Sequence, residues 1–151
     1  MNKQNNISEF FTEALNEAKQ GYAEGGVPIG SVLVYKDKII GRGHNRRVQE
    51  GNPILHAEMD ALRDAGRQTA AVYAGCTLYT TLSPCAMCSG AVLLYKIPRV
   101  VIGENRNFKG SEELLKSAGV EITLLDNSES YNLMKKFIEE KPQLWFEDIG
   151  K

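Results

Sequence analysis

The sequence predicts an α/β fold, a three-layer αβα sandwich built on a five-stranded mixed sheet. Three observations carry this. From Cys76 onward, short apolar runs alternate with stretches of helical period. Each connection between those runs exceeds ten residues, the length that a crossover between parallel strands requires. Upstream, residues 29–35 and 38–43 flank the two-residue turn Lys36-Asp37, which makes the first two strands an antiparallel hairpin at the sheet edge. At 151 residues the chain suits one domain with a full core.

Taken in order, residues 1–6 are polar and read as loose chain. Asn6 or Ser8 can cap a helix over 8–21, with Phe10, Phe11, Ala14, Leu15 and Ala18 as its inner face. Gly21, Gly25 and Gly26 end it. In the hairpin that follows, Gly41 and Gly43 point to bending or a close backbone approach. Residues 44–55 form a polar loop placed to carry substrate contacts, and a helix over 56–66 comes next. A third strand, 76–81, is apolar enough to be buried. Leu82-Ser83-Pro84 leads into a helix over 85–95, with Met87, Ala91, Val92, Leu94 and Tyr95 for packing. Pro98 precedes a fourth strand, 99–103, and residues 104–110 form a loop. Ser111 opens a short helix to 118, which Gly119 closes, and the fifth strand is 120–125. Asp126 or Ser128 can cap a last helix over 129–140, which turns Leu133, Met134, Phe137 and Ile138 inward. Pro142 breaks it, and the tail 143–149 is unusually aromatic for a terminus.

Net charge is −1, with no run of like charges, which weighs against a nucleic-acid surface. Cys76, Cys85 and Cys88 are an odd set with one close pair, which suits reduced thiols in a cytoplasm better than a disulfide framework. The segment from Met1 to Ser8 has no apolar core for a signal peptide, and no stretch approaches the roughly 18 apolar residues of a membrane span.

The chemistry gathers in two short pieces, His56-Ala57-Glu58 and Pro84-Cys85-Ala86-Met87-Cys88. One imidazole and two thiols are three ligands for zinc and leave a fourth tetrahedral position free, the plan of a catalytic site. A histidine alone is usually a satisfied core residue, and a lone C-x-x-C is often a redox pair. Together, with Pro84 ahead of the first cysteine and Glu58 two places past the histidine, they match the H-x-E…P-C-x-x-C pattern of zinc-dependent base deaminases. Cys85 and Cys88 share one helix face. His56 and Glu58 lie about 200° apart on an ideal helix. They can serve one site only at the very start of a helix, so two helix N-termini are expected to face each other across the metal. His44 lacks a glutamate two places on and reads as structural. Cys76, inside a strand, reads as a small buried hydrophobe.

The resemblance runs further than the zinc motif. Gly25-Gly26-Val27-Pro28-Ile29-Gly30, Gly41-Arg42-Gly43-His44-Asn45, Thr80-Thr81-Leu82-Ser83-Pro84-Cys85, Gly103-Glu104-Asn105, Asn107-Phe108-Lys109 and the tail Trp145-Phe146-Glu147-Asp148-Ile149-Gly150 cover nearly the whole chain. On these pieces the sequence resembles the cytidine-deaminase-like superfamily, and within it the fungal-type cytosine deaminases. The one departure is Ala57 in place of glycine, a small residue for a small one. The resemblance implies that His56, Cys85 and Cys88 hold one zinc ion per subunit and that Glu58 shuttles protons. It implies that Asn45 hydrogen-bonds the base, that Asp148 reaches the pyrimidine from a tail (141–151) closing the site, and that Ile29, Phe108 and Trp145 wall the pocket. A cytoplasmic homodimer acting on free cytosine in pyrimidine salvage, with no nucleic-acid or membrane partner, is the matching expectation. Guanine, cytidine or adenosine in tRNA remain rival substrates of the same chemistry. A zinc-stabilised binding domain is the rival outside enzymes.

Overall fold

The computed structural model describes residues 3–151. Helix α1 (Lys3–Ala23) begins five residues earlier than the capping signals suggest. Asn6 and Ser8 lie inside it, because neither glycine nor proline interrupts the chain before them. Residues 3–6, expected to be loose, are therefore helical; Met1 and Asn2 lie outside the described residues. Strands β1 (Gly30–Tyr35) and β2 (Lys38–His44) form the hairpin. Lys36 and Asp37 both take positive φ, 48° and 61°, the backbone that matches the twist of a tight hairpin.

After β2 come the one-turn helix α2 (Arg47–Glu50), α3 (Ala57–Ala65) and the short α4 (Ala70–Ala74). Strand β3 (Cys76–Leu82) leads to α5 (Ala86–Tyr95), β4 (Arg99–Glu104), α6 (Glu112–Ser117) and β5 (Glu121–Leu124). Helices α7 (Ser128–Glu140) and α8 (Pro142–Asp148) complete the chain. The sheet order is β2-β1-β3-β4-β5. β1 is antiparallel to both neighbours, and β3, β4 and β5 are parallel. Only β1 runs against the rest, so the carboxyl ends of β2, β3 and β4 lie along one side of the sheet. That is where ligands bind in such folds.

The two sheet faces sort by strand alternation. Val32, Val34, Tyr79 and Val101 pack beneath α1 on Phe11, Ala14 and Leu15. Leu33, Leu78, Val100 and Ile102 face the other way, onto Tyr73, Val92, Ile97 and Leu115. A third apolar cluster, with Val27, Ile29, Leu82, Phe137 and Trp145, sits at the carboxyl edge. Gly41 and Gly43 do mark a close approach: an added Cβ would come 2.3 Å from the Ala61 oxygen and 2.5 Å from the Ala61 nitrogen. Two glycines thus seat the backbone of α3 directly on β2 and fix where its N-terminus falls.

Three helices went unforeseen. α2 and α4 are a turn or so long, too short to show a period. At α8, Pro142 does stop α7 at Glu140, yet it also serves as the first residue of a new helix, where a missing N–H costs nothing. Asn127, not Asp126 or Ser128, caps α7, its side chain accepting from Ser130 N at 2.8 Å. The inward set of α5 also changes. Cys88, Ser89 and Val92 are buried, whereas Leu94 is 70% and Tyr95 41% exposed. That helix is apolar all round, so its period could not choose a face. No described helix is long and apolar enough to cross a membrane.

Candidate active site

His56 is the N-cap of α3, in extended backbone, and Glu58 is the second residue inside the helix. The two side chains therefore leave the helix end in different directions and still meet one site. Cys85 is the N-cap of α5, and Cys88 follows in its first turn. The ligand atoms of His56, Cys85 and Cys88 all lie within 4.8 Å of one another. Cys85 Sγ is 3.4 Å from His56 Nδ1. His56 Nε2 faces Asp148 Oδ1 at 3.5 Å, so Nδ1 is left for the metal and a carboxylate stands behind the imidazole, the usual support for a ligating histidine. One nitrogen and two sulfurs so gathered fit zinc, and among the described residues the set is three.

The charged groups of the site act on one another. The Cys88 thiol's hydrogen bond, against the cost of burial and with help from His56, holds Cys85 down to about 4, in the thiolate form. Burial works against charge on His56, but the Cys85 sulfur, Asp148 and Glu58 raise it to about 9. Glu58 is buried, and burial pushes its carboxyl up despite the attraction of His56. A carboxyl raised towards neutrality can both take and return a proton. Burial also raises Asp148, opposed by His56, Asn45 and Arg47.

Around this centre the structure brings Ile29, Phe108, Trp145 and Asp148 into one pocket with His56, Glu58 and Cys85. The Phe108 and Trp145 rings meet edge to face, centroids 5.9 Å apart at 82°. Asn45 stands one step behind: its Nδ2 donates to Asp148 Oδ1 at 2.8 Å, and its Oδ1 accepts from Arg47 N at 3.0 Å. Leu82, Ser83 and Ile149 also line the pocket. The residue reading gave them no role, although all three lie in the stretches that carry the resemblance. It also missed two buried glutamates. Glu104 accepts from Arg106 N (2.7 Å) and from Asn107 N and Nδ2 (3.0 and 2.8 Å). Glu112 accepts from Ser83 Oγ at 2.6 Å, and that hydroxyl accepts from Gly110 N at 2.9 Å. Together they pin both ends of the loop that carries Phe108. Acidic residues at the end of a strand and the start of a helix read as solvated, and only three-dimensional burial distinguishes these. His44 and Cys76 are buried away from the metal ligands, as expected.

The family model for the cytidine and deoxycytidylate deaminase zinc-binding region matches residues 4–104. The chain is 55% identical over 139 residues to a cytosine deaminase of Candida albicans, covering 91% of this chain and 93% of that one. It is 42% identical over 107 residues to a tRNA-specific adenosine deaminase of Streptococcus pyogenes, covering 70% and 67%. Among solved structures, one from a study of A-to-I editing by tRNA:A34 deaminases superposes with a TM-score of 0.71 at 28% identity, over 83% of this chain and 99% of that one. Acinetobacter baumannii RibD gives 0.74 at 26% identity over 94% of this chain and 42% of its own length. The match to residues 4–104 holds every metal ligand and Glu58, and stops short of Phe108, Trp145 and Asp148.

Proposed function

Because the chain belongs to the cytidine and deoxycytidylate deaminase zinc-binding family, we propose that it hydrolyses the free base cytosine to uracil and ammonia. One observation carries the choice of substrate. Helix α8, beyond the family-wide region, lays Trp145, Asp148 and Ile149 over the metal ligands. We take this helix as the element that favours a bare base over one carrying a ribose.

His56, Cys85 and Cys88 would hold the zinc ion, which as a Lewis acid makes water acidic enough to attack near neutral pH. Glu58 takes the proton of the attacking water and passes it to ring N3. It then carries the second proton to the amine leaving C4, so that water and cytosine become uracil and ammonia. No nucleophilic side chain is needed. Asp148 offers its carboxylate to a ring N–H. Asn45 orients Asp148 and keeps one amide hydrogen for the ring, since an Asn Nδ2 has two donors and Asp148 takes one. Phe108 and Trp145 exclude water and flank the ring, with Ile29 below.

The chain acts as a single domain, residues 1–151, whose tail 141–151 closes the site. The outward Leu94 and Tyr95 of α5, the latter sharing a cleft with Ile54 at 52% exposure, support a homodimer. Three free cysteines support a reducing, cytoplasmic setting in pyrimidine salvage. Loss of cytosine absorbance, followed with zinc-loaded protein beside adenosine and guanine, tests the reading. Turnover of cytosine alone supports it. Turnover of a purine instead would keep the zinc chemistry and refute the pocket, and no turnover with zinc bound would favour a binding domain.

A further inference from the structure

His44 lies outside the metal site, yet its surroundings are unusual. The ring is 2% exposed. Nδ1 is 2.9 Å from Glu17 Oε1, and Nε2 is 2.8 Å from Glu24 Oε1. An ionised carboxylate only accepts, and neutral imidazole has a single N–H. Both contacts are hydrogen bonds only if both ring nitrogens donate. The side chains of Glu17 and Glu24 keep partial access to solvent, 18% and 31%. Hydrogen bonds from Gln20 and then His44 hold Glu24 down to about 2.

We propose that His44 is a positioning residue for cytosine binding: an imidazolium clamped between Glu17 and Glu24 that fixes Asn45, and through it Asp148. The inference rests on the cytosine reading for its effect on turnover. The charge on the ring stands on geometry alone.

The path from clamp to substrate is short. Asn45 follows His44 directly, and its N–H donates to Ile29 O at 3.0 Å. Gln49 Nε2 bridges Glu24 Oε1 and the Asn45 carbonyl, each at 3.1 Å. The Asn45 side chain then holds Asp148. The groups facing the ring come from every side. Glu17 approaches from α1 and Glu24 from the turn just after it, and Gly21 of α1 packs close enough that a Cβ would lie 3.2 Å from His44 Cδ2. Asp60 of α3 accepts the His44 N–H at 3.1 Å and binds Arg46 Nε at 2.8 Å, which turns that cation away. Burial disfavours charge on His44, and Arg46 opposes it too, but the two carboxylates prevail and the pKa is raised. α1 already has Phe11, Ala14 and Leu15 on the sheet, so it does not depend on a buried charge cluster for attachment. Such clusters add little stability in any case. What this one adds is a fixed place for residue 45.

The sign of the pH effect follows. A group whose pKa is raised on folding contributes fully below its unfolded value, near 6.5, and loses that contribution as pH climbs through the folded value. Deprotonation leaves a lone pair against a carboxylate oxygen and frees Asn45, so the affinity for cytosine falls on the alkaline side.

The test uses the full-length, zinc-loaded protein with ring-15N histidine. His44→Gln identifies the His44 signals by their loss. At pH 7.5, about one unit above ordinary histidine, both His44 nitrogens should carry the shifts of a protonated ring. A neutral pattern there overturns the proposal. Glu24→Gln and Glu17→Gln should each lower the pH at which His44 titrates and carry the alkaline limb of kcat/KM for cytosine down with it, through KM and with kcat nearly unchanged. If the titration moves and the limb stays, His44 does not position the base. If cytosine is not a substrate, the activity arm fails with the cytosine reading, and the nitrogen shifts still decide the charge.

Discussion

Glu58 is not among the three gathered ligand atoms, and its carboxyl is buried beside them; in the proposed reaction it moves the protons. Glu58→Gln keeps size and polarity and removes the base. Zinc content should stay at one per chain while kcat falls by about 10²–10⁴-fold, the usual worth of a positioned acid–base group. Near-normal turnover would remove Glu58 from the mechanism. Asn45 and Asp148 act in series, so Asn45→Ala and Asp148→Ala should each raise KM, and the double variant should lose less than the sum of the two, read as a double-mutant cycle. At this scale the metal ligands and Glu58 were legible because their spacing is itself the signal. Asp148 and Trp145 became legible only through resemblance, since a tail carboxylate and a tail aromatic have bland local meanings. Glu104, Glu112 and the doubly bonded His44 were not legible: their partners lie 2 to 29 residues away, and their burial comes only with the fold.

Two helix N-termini meet at the metal because each helix is placed on the sheet by small residues and short connections. Gly43 is one of two tight points for α3, where a Cβ would sit 2.5 Å from Ala61 N and 2.7 Å from the Asp60 carbonyl carbon. Gly43→Ala must push α3 away from β2. It should cost about 1–3 kcal/mol in urea unfolding and lower zinc affinity, since His56 moves with the helix. An unchanged midpoint would show that the seat is slack. The strands and the long helices were readable, because periods of two and of about 3.6 differ clearly over such lengths. The starts of α1 and α8 were not. Local capping and breaking signals describe what a residue can do, and the rest of the chain decides whether it does: Ser8 sits within a longer helix, and Pro142 starts one.

At the scale of the whole molecule, the candidate metal ligands come from the starts of α3 and α5, and Trp145, Asp148 and Ile149 share their pocket. Chelation with a strong zinc ligand should abolish turnover and lower the melting temperature by several degrees, because binding to the folded state alone is folding free energy. Readdition of zinc should restore both. A melting temperature indifferent to the chelator would mean that the three ligands do not hold the ion. The α5 face makes a separate prediction. Leu94, 70% exposed in one chain, should be covered in a dimer, so Leu94→Lys should shift sedimentation from two copies to one while a single chain still folds. A wild-type chain that sediments as a monomer at micromolar concentration would leave that face without its proposed occupant.

The central claim is that α8 turns a family-wide zinc site into one for a bare pyrimidine. The ratio of kcat/KM for cytosine to that for cytidine, with zinc-loaded protein near neutral pH, tests it most directly, because the two substrates differ only by the ribose that the lid must exclude. Cytosine should release ammonia rapidly, and cytidine none above background. Cytidine turned over as well as cytosine would contradict it, leaving the zinc chemistry in place and the closed pocket wrong.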